Sequence, residues 1–325
     1  MPYSLAPSAE SHPGRRGCPP PKERVQRRPL EGPLDRAPKL DRVVCSSLNR
    51  SGAVIAAAGQ EVHGVGTRKS GVTFNSKLCV LITSTLEPRG ADSEQIRLRR
   101  DQYECALRSW LQHPDPRVHS VVYCDNSTPS LDWTYAVADE VRTKKGVESI
   151  HCPDNRIPDG MHYGYPELGI MDHSLRTSLA LEQADYFVKV TGRLQFPRLS
   201  RLLDRLPQSF DACLDYRRAY KAEDKSWSRF RARTQLMFFR TGFYRQRMMN
   251  TRSTMLRRSI SHFEEFIPGI LAPTDPTASG CVFRWPIECP PSGVGGNGVN
   301  FDSMGAQLKS FAQDKLRRFA SSLWL

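Results

Sequence analysis

The stretch ADYFVKVTGRL, residues 184–194, decides the reading of the whole chain. Tyr186, Phe187, Val188 and Val190 are β-branched or aromatic, which predicts a buried strand. Thr191-Gly192 ends it, because glycine adopts backbone angles closed to other residues and leaves room beside the chain. Lys189 and Arg193 then place two cations at or near the strand's C-terminal end. In open α/β sheets, ligands bind outside that end. An ammonium and a planar guanidinium together suit a phosphate or a carboxylate. A core strand with two solvated basic residues would carry the same letters.

Working outward, residues 78–84 (LCVLITS) form a continuous apolar run, the pattern of a strand buried on both faces, and Thr83-Ser84-Thr85 closes it. Residues 93–111 have helical spacing. Ile96, Leu98, Tyr103, Leu107, Trp110 and Leu111 carry the apolar surface, with Arg97, Arg99 and Arg100 between them. His113-Pro114-Asp115-Pro116 stops that helix. Residues 118–124 (VHSVVYC) read as a second buried strand running into Asp125-Asn126-Ser127. Strand, helix, strand predicts parallel pairing with a right-handed crossover. Further on, the pattern predicts a helix over 137–143, a strand over 148–152 and a glycine-bearing loop over 160–169. A helix over 170–184 then delivers the chain into the strand at Tyr186. Beyond it come a helix over 199–206, strands over 212–216 and 235–240, and helices over 241–249 and 259–267. A Pro/Gly-rich loop spans 286–300, and a basic amphipathic helix over 303–323 closes the chain. The expected fold class is α/β, with a mostly parallel central sheet flanked by helices.

Composition narrows the function. The chain has 325 residues, 39% of them hydrophobic, enough for a sizeable core. No run approaches the roughly 18 apolar residues of a membrane span, and no secretory h-region is visible. The formal charge of +13 favours an anionic partner: nucleic acid, a phosphate-bearing ligand or an anionic membrane. The 9 cysteines are scattered without a CxxC pair, which points to reduced thiols in a cytosol. Nine of the 24 prolines fall in residues 1–38, and Tyr3 is the only aromatic before Phe74. Residues 1–75 are therefore expected to be a disordered, basic, proline-rich extension, and residues 76–325 the folded domain.

Three constellations carry candidate chemistry. Thr83/Ser84, Asp125/Asn126 and Lys189/Arg193 would lie side by side on one sheet edge. There the hydroxyls and the Asp/Asn pair could bond a base and ribose, and the cations a diphosphate. Asp125-Asn126-Ser127 would equally serve as a plain turn. Gly160, Gly164, Glu167 and Gly169 stand before a helix, where backbone could approach a phosphate or sugar. Neither GxxxxGK[ST] nor GxGxxG is present, so an ordinary loop reads the same. In SISHFEEF, residues 259–266, His262, Glu264 and Glu265 offer a general base. HExxH, DxDxDG and a tight Cys/His cluster are all missing. The closing helix, with Lys309, Lys315, Arg317 and Arg318 opposite Met304, Leu308, Phe311, Leu316, Phe319 and Leu323, suits either packing on the core or an anionic leaflet.

Taken together, LCVLITSTLEP, SEQIRLRRDQYECALRSWL, VVYCDNS and ADYFVKVTGRL resemble the bacterial glycosyltransferase-like proteins of capsule and lipopolysaccharide gene clusters. Members of that family have a GT-A-type nucleotide-sugar fold. The likeness covers roughly 77–266, with a weaker Gly-rich tail near 293–298. Asp125 stands where the family carries Glu, and Leu194 where it carries an aromatic. The usual metal-binding Asp-x-Asp is missing, and Lys189 and Arg193 occupy the matching strand end.

The resemblance implies a cytoplasmic transferase that moves a sugar from a nucleotide-sugar donor to a surface-polysaccharide or lipid-linked hydroxyl. Thr83, Ser84, Asp125, Asn126, Gly164 and Glu167 would hold the donor, with Lys189 and Arg193 on its diphosphate. Glu265 or Glu264 would be the base. No cofactor is expected; a divalent metal would need a carboxylate elsewhere, such as Asp185 or Asp215. Peripheral contact with the inner membrane is implied, and nucleic acid is not an expected partner. A non-catalytic protein of the same fold and a basic nucleic-acid-binding protein are the alternatives.

Overall fold

The computed structural model describes residues 74–218, 220–221, 226–227, 230–271, 280–295 and 298–319. The chain divides into two units, Met1–Val65 and Gly66–Leu325. The first lies outside the described residues, as does the extension expected over residues 1–75 up to residue 73; Phe74, at its end, is buried in the core.

The second unit starts with β1 (Leu78–Ser84), whose seven residues are all buried. Then come α1 (Ser93–Leu111), β2 (Val118–Asp125), α2 (Asp132–Glu140), β3 (Gly146–His151), α3 (Gly164–Thr177), α4 (Leu179–Glu182) and β4 (Tyr186–Thr191). Short pieces follow: β5 (Leu194–Gln195), α5 (Leu199–Leu203), β6 (Ala212–Cys213), β7 (Tyr216–Arg217), β8 (Tyr220–Lys221), β9 (Ser226–Trp227) and β10 (Arg231–Ala232). The chain continues with β11 (Leu236–Arg240), α6 (Thr241–Arg247), α7 (Arg252–Arg257), α8 (Phe263–Leu271), β12 (Cys281–Val282), β13 (Ser292–Gly293) and α9 (Met304–Phe319).

The main sheet runs β12-β6-β11-β4-β1-β2-β3. β1 pairs in parallel with both β2 and β4, and β2 with β3, while β11 is antiparallel to both β4 and β6. The mostly parallel sheet expected from the sequence is therefore present, with one reversed strand inside it. Alternation sorts the side chains into two cores. Val80, Ile82, Val188 and Val190 face Leu107, Trp110, Trp133 and Leu199. Cys79, Leu81 and Phe187 face Leu168, Met171, Leu175, Tyr244 and Phe266. Both faces are covered, which is why the strands read as continuous apolar runs.

Several boundaries move for local reasons. α2 starts before residue 137 because Trp133 is buried one turn ahead of Val137, and Arg142 ends the helical stretch in the left-handed region at φ 49°. The helix expected over 170–184 breaks at Ser178, whose backbone is extended and whose hydroxyl accepts from Leu181 N to cap α4. The loop expected over 160–169 is half helix, since α3 begins at Gly164. Ser259, at φ 51°, delays α8 until Phe263. The strand expected over 212–216 splits around the buried Asp215. The apolar residues of α9 described here, Met304 to Phe319, do not pack on the core but are exposed; Leu323 lies outside the described residues.

Candidate functional site

The C-terminal ends of β1 and β4 are neighbours where the strand order reverses, the position at which open α/β sheets bind ligands. Gly192 lets these ends approach. Its N–H donates to Thr83 O at 2.9 Å, and a Cβ there would meet Tyr103 Cε1 at 2.3 Å. Two polar clusters stand on opposite faces of this point.

On the α3 face, Lys189 is fully buried and uses its donors internally. It reaches Glu167 Oε1 at 2.5 Å, Thr234 O at 2.6 Å and Thr191 Oγ1 at 3.1 Å. Thr83 Oγ1 also donates to Glu167 Oε1, at 3.0 Å. Glu167 lies in the first turn of α3, where the helix dipole favours a carboxylate. Gly164 opens that helix because a Cβ there would meet Phe263 Cβ at 2.2 Å and Phe263 N at 2.9 Å. The starts of α3 and α8 thus touch. Glu264 at the start of α8 accepts from Thr234 Oγ1 at 3.4 Å, so Glu264 and Lys189 share Thr234. Glu265 turns elsewhere, to Arg231 Nε at 2.9 Å.

On the α1 face, Asp125 is fully buried and accepts five hydrogen bonds. The donors are Ser84 Oγ (2.5 Å), Leu86 N (2.7 Å), Ser127 N (2.7 Å), Ser127 Oγ (2.6 Å) and Thr128 N (3.0 Å). Asn126 accepts from Thr85 Oγ1 at 2.7 Å and donates to Asn155 Oδ1 at 3.1 Å. Ser84, Asp125 and Asn126 therefore tie loops together. Their polar groups are engaged within the protein, in the turn role that the sequence also allowed.

The cations on this face are placed differently. Arg193 is buried, donating to Gln102 Oε1 at 2.8 Å and to Gly295 O at 3.0 Å. Arg99 donates from Nε to Thr85 O at 3.2 Å and to Leu86 O at 3.3 Å. Both guanidinium groups lie over the Tyr103 ring, at 5.7 Å for Arg99 and 5.9 Å for Arg193. Burial, with Arg99 nearby, pulls the Arg193 pKa below its ordinary value, and only the Tyr103 phenol opposes this. Burial likewise pushes the Tyr103 phenol up, against the pull of Arg99 and Arg193. Among the described residues no carboxylate forms an ion pair with Arg99, Arg100 or Arg193. Arg100 stacks over Trp133 at 4.3 Å, and its buried Nε has no partner among those residues.

The structure thus gathers Thr83, Gly164, Glu167, Lys189 and Glu264 on one side, and Ser84, Asp125, Asn126 and Arg193 on the other. Glu265 joins neither. The sequence reading did not single out Arg99, Tyr103, Thr191 or Thr234 as site residues. Arg99 and Tyr103 are four apart on a helix, one face at helical spacing, and that spacing was the available signal. Thr234 arrives only because β11 runs antiparallel to β4, which no local pattern announces. Two open concavities, of about 410 and 670 Å³, lie at the opposite sheet edge, beside Phe74 and Arg117 and beside Asp185 and Arg240.

The carboxylates at this edge are engaged within the protein. Glu167 is already paired with Lys189, Asp125 accepts five hydrogen bonds from Ser84 and the loops beside it, and Glu264 accepts from Thr234. Among the described residues no three His, Cys, Asp or Glu side chains cluster as metal ligands. Of the two carboxylates considered for a metal, Asp185 lies at the opposite end of β4, and Asp215 is enclosed by arginines. Cys79, Cys105, Cys124, Cys152, Cys213 and Cys289 form no disulfide.

No family's sequence profile matches this chain. No curated protein matches it either. Solved structures with a similar course of backbone include core-mannan synthase A from Aspergillus fumigatus in its Mn/GDP form, at 9% identity and a TM-score of 0.37, over 59% of this chain and 66% of that one. A second is the glycosyltransferase GlyE of Streptococcus pneumoniae, at 10% identity and TM-score 0.35, over 64% of this chain and 45% of that one. A third is 4-diphosphocytidyl-2C-methyl-D-erythritol synthase, at 11% identity and TM-score 0.37, over 74% of this chain and all of that one. This chain spans just under two thirds of the length of the first. Overlaps this low concern the path of the chain and bear on no residue.

Proposed function

We propose that this protein is a glycosyltransferase whose donor, a nucleotide-sugar, binds across the C-terminal ends of β1 and β4. The observation that supports this reading is the pair Arg99 and Arg193. Two guanidiniums share one buried phenol ring, and among the described residues no carboxylate forms an ion pair with either. Like charges held together in a partly dry place favour an anion of matching geometry, and a diphosphate is such an anion. Lys189 does not bind the donor directly. Its ammonium holds Glu167 and the carbonyl of Thr234, and so fixes the wall of the site.

In the proposed reaction Glu264 takes the proton of an acceptor hydroxyl. The freed oxygen attacks the anomeric carbon. The bond from that carbon to the diphosphate oxygen breaks, and its electrons leave on the diphosphate. Arg193 and Arg99 stabilise the departing charge in place of a metal. A single base implies inversion at the anomeric carbon. The acceptor is a hydroxyl of a surface polysaccharide or a lipid-linked glycan, and the setting is the bacterial cytoplasm, which suits scattered cysteines without a CxxC pair.

The test is a thermal-shift panel of UDP-, GDP-, CMP- and dTDP-sugars, with and without manganese. A ligand that binds only the folded state raises the melting temperature, by about 2.7 kcal/mol of stability at a hundred times its Kd. One nucleotide class should shift the wild type, manganese should add nothing, and Arg193→Ala should abolish the shift. No shift with any donor would refute the reading and favour a non-catalytic protein. Binding to nucleic acid that falls steeply with salt would favour the third alternative.

A further inference from the structure

The closing helix α9 is inside out. Its polar side faces the protein. Arg317 donates to Asp215 Oδ1 at 2.8 Å, to Trp285 O at 2.7 Å and to Glu288 Oε1 at 2.6 Å. Gln313 accepts from Arg217 at 2.8 Å, and Asp314 accepts from Glu288 N at 3.3 Å. Its apolar side faces outward: Met304 is 79% exposed, Leu308 62%, Phe311 58%, Leu316 42% and Phe319 86%. Met304, Leu308, Phe311, Lys315 and Phe319 follow helical i, i+3 and i+4 spacing and so form one stripe. Asp215 and Glu288 are buried carboxylates that need Arg317, so the helix cannot roll over to hide the stripe without abandoning them.

We infer that this stripe docks the protein on an anionic lipid bilayer. Lys315 stands within the stripe, 5.4 Å from the centroid of Phe311, and Lys309 flanks it. A long lysine stem lies along apolar surface while its ammonium reaches phosphate, the arrangement of an interfacial helix lying in the headgroup plane. The charges disfavour other occupants. A second copy would bring its own Lys315 to the same seam, on a chain whose net charge is +13 overall. Residues 1–73 also carry more Lys and Arg than Asp and Glu. An anionic leaflet complements both the apolar stripe and its cations. The inference extends the reading of a lipid-linked acceptor, but it stands on α9 alone and needs no donor.

The experiment is co-sedimentation of the full chain with vesicles of phosphatidylcholine, or of phosphatidylcholine with about one third phosphatidylglycerol, at low and physiological salt. The wild type should bind the anionic vesicles at least tenfold better than the neutral ones. Phe311→Glu with Phe319→Glu should weaken binding at least tenfold. Met304→Gln with Leu308→Gln should weaken it by a separate route, and Lys309→Glu with Lys315→Glu should remove the preference for the anionic lipid. All are exposed positions, so melting temperatures should stay at the wild-type value. Failure of the wild type to sediment would overturn the inference. So would equal binding by both apolar variants, which would assign the attraction to charge elsewhere. A wild-type dimer in light scattering, dissolved by the same variants, would assign the stripe to a second copy instead. None of these results depends on the donor panel, so the two readings fail separately.

Discussion

Replacing Asp215 by Asn removes one negative charge from the most enclosed ionic network described here. Asp215 accepts from Arg217 Nε at 2.8 Å and from Arg317 at 2.8 and 3.1 Å, and Arg233 stands 3.6 Å away. Glu288 bridges the same three arginines, at 2.6, 2.6 and 3.2 Å. The variant would leave Glu288 alone among three guanidiniums and would turn an amide N–H₂ toward one of them. Removing one partner from a buried ion network costs about 3–5 kcal/mol. For a domain of this size each kcal/mol moves the melting temperature by about 2–4 °C, so the expected fall at pH 7 is about 10 °C.

The pH dependence gives a second reading of the same charge. Burial pushes the Asp215 carboxyl up, but Arg217, Arg317 and Arg233 overcome this and hold it below the ordinary range. A group with a depressed folded pKa contributes stability that is fully present above the unfolded value of about 3.9, and that is lost as pH falls through the folded value. The gap between wild type and Asp215→Asn should therefore be constant at neutral pH and close in acid. Thermal melts followed by circular dichroism, from pH 7 stepwise to pH 3, measure it. A drop smaller than about 2 °C at pH 7, or a gap that widens in acid, would refute the reasoning.

Other expectations follow from single contacts. Gly192→Ala should cost about 1–3 kcal/mol in urea unfolding, since its Cβ must displace Tyr103 or Thr83. Gly242→Ala, in open space on α6, should be neutral or stabilising by up to about 1 kcal/mol. If the proposed transfer is right, Glu264→Gln should lower turnover by about 10²–10⁴ in a nucleotide-release assay. Glu265→Gln should change it little, because that carboxylate is held by Arg231. Burial raises the Asp115 carboxyl, but its hydrogen bonds from Arg117 bring it down to about 2. Asp115→Asn should then lower the melting temperature at pH 7, and the difference should vanish as pH falls through about 2.

What the sequence revealed tracks how local each cause is. β1, β2 and β4 were legible because a strand buried on both faces carries mostly apolar letters, and α1 because its apolar residues keep a helical period until His113-Pro114-Asp115-Pro116 stops it. α9 was legible as an amphipathic helix, but its orientation was not. A moment identifies an apolar side without saying whether that side meets the core, and here Asp215 and Glu288, far upstream, turn the polar side inward. The strand-end site shows the same divide. Lys189 and Arg193 stand four apart, a spacing that strict alternation would put on one face, yet β4 ends at Thr191 and the chain turns through Gly192, so Lys189 meets the α3 side and Arg193 the α1 side. Only the fold shows that Glu167 neutralises the first while Arg99 accompanies the second. Asp125 and Asn126 read equally as ligand contacts and as a turn, because a carboxylate or amide serves both; the loop N–H groups around them decide.

The Asp215 network also sets an order of events during synthesis. Asp215 and Arg317 are 102 residues apart in the chain. At about 5–20 residues per second, Arg317 leaves the ribosome roughly 5–20 s after Asp215. During that interval β1 to β4 have already emerged, while Asp215 awaits one of its three arginines and Glu288 lacks its closest contact to α9. The nascent domain must wait with polar groups in the place where its interior will form. It can seal the end of the sheet only when the last helix arrives. A chain stopped shortly before Arg317 would thus resemble a finished sheet with an open flank, a natural substrate for chaperones.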